Sequence, residues 1–339
     1  MSATGTRRIL LGELLRGVSR SFYLTLRVLP GAIRPQIGTA YLLARATDTI
    51  ADTGALPVEQ RLGALRSLRA RIDGTNSEAL PLPILEAEQS SPDERRLLQN
   101  LEAVFLLLNA FDEPDLRLIR KVLDTITSGQ ELDLIRFGGA SVSNIVALRD
   151  AAELHDYTFR VAGCVGDFWT RLCLRHLSAK PALDERTMID LGVRFGQGLQ
   201  LVNILRDVPR DLNQGRCYLP LSDLAAAGLN PAALLDPRTE QALRPVYNPW
   251  VATAEDHLRA GWSYVLALPR SWLRLRLACA WPILIGLRTI DSLKKENVLD
   301  PARRIKVPRG EVKRIMRQSL LALPFPAKWE RLPERVSAA

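Results

Sequence analysis

The sequence has little with which to bind a transition metal or build a disulfide scaffold. Its four cysteines, Cys164, Cys173, Cys217 and Cys279, have no metal-type spacing, and its three histidines, His155, His176 and His257, form no ligand pattern,. Aromatic residues make up only 6% of the chain and no nucleic-acid-binding motif occurs, so the positive charge is not read as a nucleic-acid surface,. No run of eighteen apolar residues free of charge is present, which argues against a spanning helix,. The first residues, MSATGTRRILLGELLRG, lack a continuous apolar segment and a small-residue cleavage site. The expectation is a cytoplasmic protein with reduced, buried thiols. No segment alternates apolar and polar residues as a half-buried strand would,.

What is present is helical periodicity, an excess of arginine and a few carefully spaced carboxylates. The 339 residues are 47% hydrophobic, and every long periodic stretch has the 3.6-residue period,. The expected fold class is therefore all-α: a single helical domain over residues 1–339 with a central cavity between helices. Its core spans about 10–320, and a loosely packed tail covers about 321–339. Within that frame one helix is expected from Ile145 to about Leu177. Residues 73–93 read as a surface loop with room for one short helical turn, and a helix is expected from about Val251 after a stretch with four prolines. The net charge of +9 suits anionic substrates or an anionic membrane surface,.

Two stretches organise the chain. In YLLARATDTIAD, Tyr41, Arg45, Asp48 and Asp52 fall within an arc of roughly 60° on a helix,. In QLVNILRDVPRD, Gln200, Asn203, Asp207 and Asp211 span roughly 80°, with Arg206 on the flank,. Pro209 lies between the second pair of aspartates, so a kink or helix end is expected near Asp207, with Asp211 on the loop beyond it. Carboxylates gathered inside apolar helices repel one another unless cations intervene, and Mg²⁺ prefers such oxygens while keeping positions for water or phosphate. A non-catalytic scaffold has no reason to place four carboxylates this way. Ser19, Arg20 and Ser21 interrupt the apolar pattern of SRSFYLTLRVLP, and hydroxyls beside a guanidinium suit phosphate oxygens,. Gly163 and Gly166, in DYTFRVAGCVG, permit the close approach of another helix or a ligand, two turns beyond Tyr157,.

These segments together, SRSF at 19–22, YLLARATDTIAD at 41–52, DYTFRVAGCVG at 156–166 and QLVNILRDVPRD at 200–211, resemble the squalene and phytoene synthase family of head-to-head isoprenyl diphosphate synthases. The resemblance implies an isoprenoid synthase fold in which Asp48, Asp52, Asp207, Asp211 and Asn203 hold Mg²⁺. Ser19, Arg20, Ser21, Arg45, Gln200, Asn203 and Arg206 would contact diphosphate, and Tyr41 and Tyr157 would line the reacting centre with Arg45. It further implies condensation of two molecules of farnesyl diphosphate and, because KVPRG at 306–310 is similar to a basic segment of squalene synthases, reduction to squalene with NADPH held by Lys306 and Arg309. Members that stop at presqualene diphosphate, or make phytoene from geranylgeranyl diphosphate, are the alternatives. A basic protein making a water-insoluble hydrocarbon is expected to work as a peripheral protein on an anionic membrane surface.

Overall fold

Pro35 opens the first long helix, α1 (Arg34–Ala51), at a position where the missing N–H has no intrahelical partner to lose,. The chain is seen in a computed structural model that describes residues 7–19, 23–75, 80, 82–89 and 91–337. It divides into two compact units, Met1–Gly138 with Arg171–Ser178, and Gly139–Thr170 with Ala179–Ala339.

In the first unit α1 is followed by α2 (Val58–Asp73), α3 (Pro92–Gln99), α4 (Leu101–Leu108) and α5 (Glu113–Phe137). Gly74 ends α2 in the left-handed conformation at φ 77°, and its N–H bonds the carbonyl of Arg71,. Ile37, Leu42, Leu43, Ala46 and Ile50 of α1 are buried where it packs on α2, α4 and α5. Within residues 73–93 the short helical turn is Leu82–Ala87, and Ser91 caps α3 by accepting from the Glu94 N–H. Asp112 caps α5 in the same way through Asp115 N–H at 3.0 Å,. Asp115 itself is 2% exposed, and that buried carboxylate is fully partnered. Gln36 Nε2 donates to it at 2.9 Å, Arg175 Nε at 2.9 Å, and His176 Nε2 lies 2.7 Å away,.

The second unit begins with a feature that periodicity concealed. Val146–Ala147 (β1) pairs in parallel with Arg216–Cys217 (β2), so the helix expected from Ile145 starts at Ala151 instead. Val146 N–H donates to Gly215 O at 2.9 Å across a separation of about 70 residues, a partner that local pattern cannot supply,. Helix α6 (Ala151–Thr158) then runs through a π-helical turn, Phe159–Gly163, into α7 (Cys164–His176). The rod lies close against α8 (Glu185–Arg206), and glycine is required at the crossing. A Cβ on Gly166 would stand 1.9 Å from Gly192 O, and one on Gly196 2.2 Å from Ala162 O,.

Beyond α8 come the short α9 (Val208–Leu212), then α10 (Glu240–Ala267) and α11 (Leu273–Lys295). Helix α10 starts eleven residues before the expected Val251 and carries Pro245 and Pro249 inside it. Tertiary contacts outweigh the two lost hydrogen bonds: Leu243, Tyr247 and Trp250 are buried, Tyr247 Oη donates to Leu205 O at 2.8 Å, and Arg244 donates to Leu293 O at 2.8 Å,. The tail is likewise packed rather than loose. After α12 (Arg309–Ala322), the helices α13 (Pro326–Glu330) and α14 (Leu332–Ser337) bury Trp329, Leu332 and Val336. Trp281 Nε1 donates to Ser319 Oγ at 2.9 Å, and Trp262 Nε1 to Glu330 O at 3.1 Å. Among the described residues no helix is long and apolar enough to cross a membrane.

Candidate functional site

Helix α1 presents the first stretch as its periodicity requires. Arg45 and Asp48 are one turn apart, with Nη1 3.7 Å from Oδ2, and Arg45 Nη2 donates to Glu94 Oε1 of α3 at 2.7 Å. Gln130, from α5, donates through Nε2 to the other Asp48 oxygen, Oδ1. The Asp48 side chain is 47% accessible, yet the protein packed around its carboxylate removes part of its hydration. That crowding raises its pKa from 3.8 to about 6, against the pull of Arg45, and the neighbouring Asp52 charge adds to the rise,. Asp52 caps the end of α1 on the surface, its N–H bonded to Asp48 O at 2.9 Å. Tyr41 lies half-buried one turn before Arg45, whose Nε is buried with no acceptor. Ser19 ends the helix Leu15–Ser19 and is 2% exposed, and its hydroxyl has no partner among the described residues. Arg20 and Ser21 lie outside the described residues.

The second stretch keeps its column through the proline. Helix α8 ends at Arg206, Asp207 caps it, and α9 restarts at once with Pro209 in its first turn, where no donor is needed,. Asp207 N–H bonds Asn203 O at 3.0 Å and Asp211 N–H bonds Asp207 O at 3.0 Å, so the four-residue spacing survives. The helix end near Asp207 is as expected, whereas Asp211 stands on a helix and not on a loop. Arg206 forks onto Asp207, with Nε to Oδ1 at 2.8 Å and Nη2 to Oδ2 at 2.6 Å,. Gln200 is half-buried and Asn203 exposed. Burial, with the Asp211 charge adding to it, pushes the Cys217 thiol up to about 12, so this cysteine of β2 is inert,.

Tyr157, at the end of α6, stacks on Tyr218 with ring centroids 4.8 Å apart, immediately before the π-helical turn. Such turns recur at functional sites. Tyr218, in the GRCYLP segment after β2, is 8% exposed and holds the Tyr157 ring in place. Lys306 and Arg309 are exposed on the segment entering α12, and neither is ion-paired among the described residues.

Sequence reasoning missed Gln130 and Glu94 as partners of the first stretch. Gln130 carried a signal: it interrupts the buried series Ile119, Leu123, Ile126, Leu134 of α5 and is itself 9% exposed. A polar side chain on an apolar stripe needs a partner. Glu94 carried none, since an acidic residue in a first helical turn is ordinary,.

Among the described residues no group of three or more His, Cys, Asp or Glu gathers closely enough to hold a metal alone. Two carboxylates per stretch nevertheless fit Mg²⁺, which takes one or two carboxylates and completes its shell with water and substrate phosphate. Burial raises the Asp48 pKa, a cost that a bound cation would offset, and Gln130 Oε1 beside it is buried with no donor among the described residues,.

The family model described as squalene/phytoene synthase matches residues 15–311. The chain is similar to the bifunctional lycopene cyclase/phytoene synthase of Phaeosphaeria nodorum, 31% identical over 218 residues, which is 63% of this chain and 34% of that protein. The match thus spans about a third of that relative's length. It is also similar to the presqualene diphosphate synthase of Zymomonas mobilis, 31% identical over 260 residues, 75% of this chain and 74% of that one. A ligand complex of TcSQS superposes with a TM-score of 0.75 at 21% identity, covering 98% of this chain and 96% of that one. The chain has the all-α isoprenoid synthase fold.

Proposed function

The chain belongs to the squalene/phytoene synthase family, and from that premise we propose that it joins two molecules of farnesyl diphosphate head to head to give presqualene diphosphate. Members of the family are prenyltransferases that bind prenyl diphosphates, using Mg²⁺ to do so. The observation that carries the reading is Asp48, a carboxylate set between Arg45 and Gln130 in surroundings that raise its pKa to about 6. The choice of product is supported by the relative matched over about three quarters of both chains, which is named for presqualene diphosphate.

In this reading Asp48 and Asp52 would hold metal on α1, and Asn203, Asp207 and Asp211 would do so from the end of α8 into α9. Bound Mg²⁺ supplies neutralisation of the carboxylates and of the diphosphate. The chain's own groups do the rest. Arg45, whose Nε is a buried donor without an acceptor, and Arg206 take diphosphate oxygens, joined by the free Ser19 hydroxyl and by Arg20, Ser21 and Gln200,. One substrate's C1–O bond breaks and its electron pair leaves with diphosphate. The double bond of the second substrate attacks that carbon, and loss of one proton closes the cyclopropane. The Tyr157 ring, fixed against Tyr218, lines the carbocation as Tyr41 does, and its hydroxyl or the departing diphosphate takes the proton,.

Reduction to squalene is the second reading, favoured by Lys306 and Arg309, two exposed cations free to take the phosphates of NADPH,. Incubation with farnesyl diphosphate and Mg²⁺, with and without NADPH, followed by mass spectrometry of the extract separates these. Presqualene diphosphate under both conditions supports the first reading, and squalene only with NADPH the second. Product only from geranylgeranyl diphosphate would make the enzyme a phytoene synthase and overturn both.

A further inference from the structure

The C-terminal helices of the second unit enclose a cavity of about 270 Å³ whose wall includes Leu266, Arg270, Arg276, Leu323, Pro326 and Trp329. It holds donors that the protein leaves unused. Arg276, on α11, is 8% exposed, with its guanidinium 5.1 Å from the centre of the Trp329 ring. Its Nε has no acceptor, and neither has the indole Nε1 of Trp329, which is 1% exposed. Burial lowers the Arg276 pKa, and the charge that adds to the effect is another cation, Arg270. Neither arginine is ion-paired among the described residues, although Glu330 also borders the cavity. A buried guanidinium with a like charge beside it and no ion pair to the Glu330 carboxylate is an arrangement that destabilises a protein on its own account,. It is suited to an incoming anion with several acceptor oxygens, and phosphate matches a guanidinium fork.

The rim of the cavity narrows the source of that phosphate. Leu266, Leu273, Leu320, Leu321 and Phe325 are large apolar side chains between 37% and 67% exposed; Leu266 lines the wall, and each of the others lies within three residues of a lining residue along the chain. Phe325 stands between Pro324 and Pro326, both lining residues, with Lys328 Nζ 4.5 Å above its ring. Exposed leucines and phenylalanine interleaved with arginine and lysine are the surface of an interfacial protein, whereas a free phosphate ester needs no apolar rim. We infer that the cavity receives the phosphate of an anionic phospholipid headgroup, with the leucines and Phe325 entering the acyl layer. The face formed by the end of α10, the start of α11 and the helices α12 and α13 is then the one that sits on a membrane.

The test is co-sedimentation of the full chain with phosphatidylglycerol vesicles and, separately, with phosphatidylcholine vesicles. The wild type pellets with the first and not the second. Arg276→Met lowers the partition coefficient about fivefold, the contribution of one arginine at an anionic surface. The melting temperature of the free Arg276→Met protein does not fall, because an unpaired buried charge has been removed. Phe325→Ser weakens binding with the cavity intact. Pelleting with neither vesicle, or equally with both, overturns the inference, as does a large loss of melting temperature in Arg276→Met, which would make the arginine a structural partner of Trp329. Stabilisation by glycerol 3-phosphate of the wild type but not of Arg276→Met, without pelleting, would also overturn it and assign the cavity to a soluble phosphate ester.

Discussion

Replacing Asp48 by Asn is expected to stabilise the ligand-free protein while abolishing turnover. The carboxyl titrates at about 6 in the fold against 3.8 ordinarily, with burial the main cause. A folded-state value above the unfolded one means that stability is lost as pH rises from about 4 to 6, and stays lost above that range. In a sealed site the shift corresponds to about 3 kcal/mol. Asp48 is 47% accessible, so solvent screening leaves about 1 kcal/mol,. Asparagine keeps an oxygen for Gln130 Nε2 and carries no charge. At pH 8 the variant should therefore melt about 1–2 °C above the wild type, with the gap closing near pH 4. Mg²⁺ should raise the melting temperature of the wild type at pH 8 by more than that of the variant, which keeps only the aspartates of the second stretch intact. Scanning calorimetry over this pH range, with and without Mg²⁺, reads both effects. A variant that melts lower at pH 8, or that gains as much from Mg²⁺ as the wild type, would refute the reasoning.

Gln130→Leu, which removes the donor to Asp48 Oδ1, should raise the Mg²⁺ concentration needed for half-maximal rate about tenfold to a hundredfold,. Saturating Mg²⁺ should restore the rate, and a loss that Mg²⁺ cannot restore would give Gln130 a different role. Gly166→Ala places a Cβ 1.9 Å from a backbone oxygen and should destabilise by about 3 kcal/mol by urea denaturation,. Gly63→Ala meets nothing within 4 Å in the middle of α2 and should stabilise by about 0.5–1 kcal/mol,. Leu332→Ala, at a side chain 2% exposed, should cost about 2–3 kcal/mol in the same assay, whereas a disordered tail would show no change,.

The parts of the fold and site that could be read in the sequence are those fixed by the helical period. Tyr41, Arg45, Asp48 and Asp52 keep their spacing on α1 because an uninterrupted apolar stripe from Ile37 to Ile50 decides which side faces in. Pro209 announced the break at Asp207, but not that a proline can begin the next helix and so keep Asp211 in the column,. Gly163 and Gly166 announced a close approach for the same local reason, and the element that approaches is α8. What escaped depends on partners distant in the chain. The pairing of β1 with β2, the early start of α10 under Tyr247 and Arg244, and the docking of Trp329 and Leu332 all rest on contacts that no window of sequence contains. Gln130 falls between the two, since its position on the stripe was visible and its partner Asp48 was 82 residues away.

The measurement that bears most directly on the central claim is the ratio of diphosphate released to farnesyl diphosphate consumed, with Mg²⁺ and without reductant. Head-to-head condensation to presqualene diphosphate liberates one diphosphate for every two substrates, because the cyclopropyl product keeps the other. The account predicts that ratio, with release abolished in Asp48→Asn. One diphosphate per substrate in the absence of any reductant would mean that the second diphosphate leaves too, whether in an elimination that carries the coupled product on to an acyclic polyene or in hydrolysis without coupling, and would contradict it.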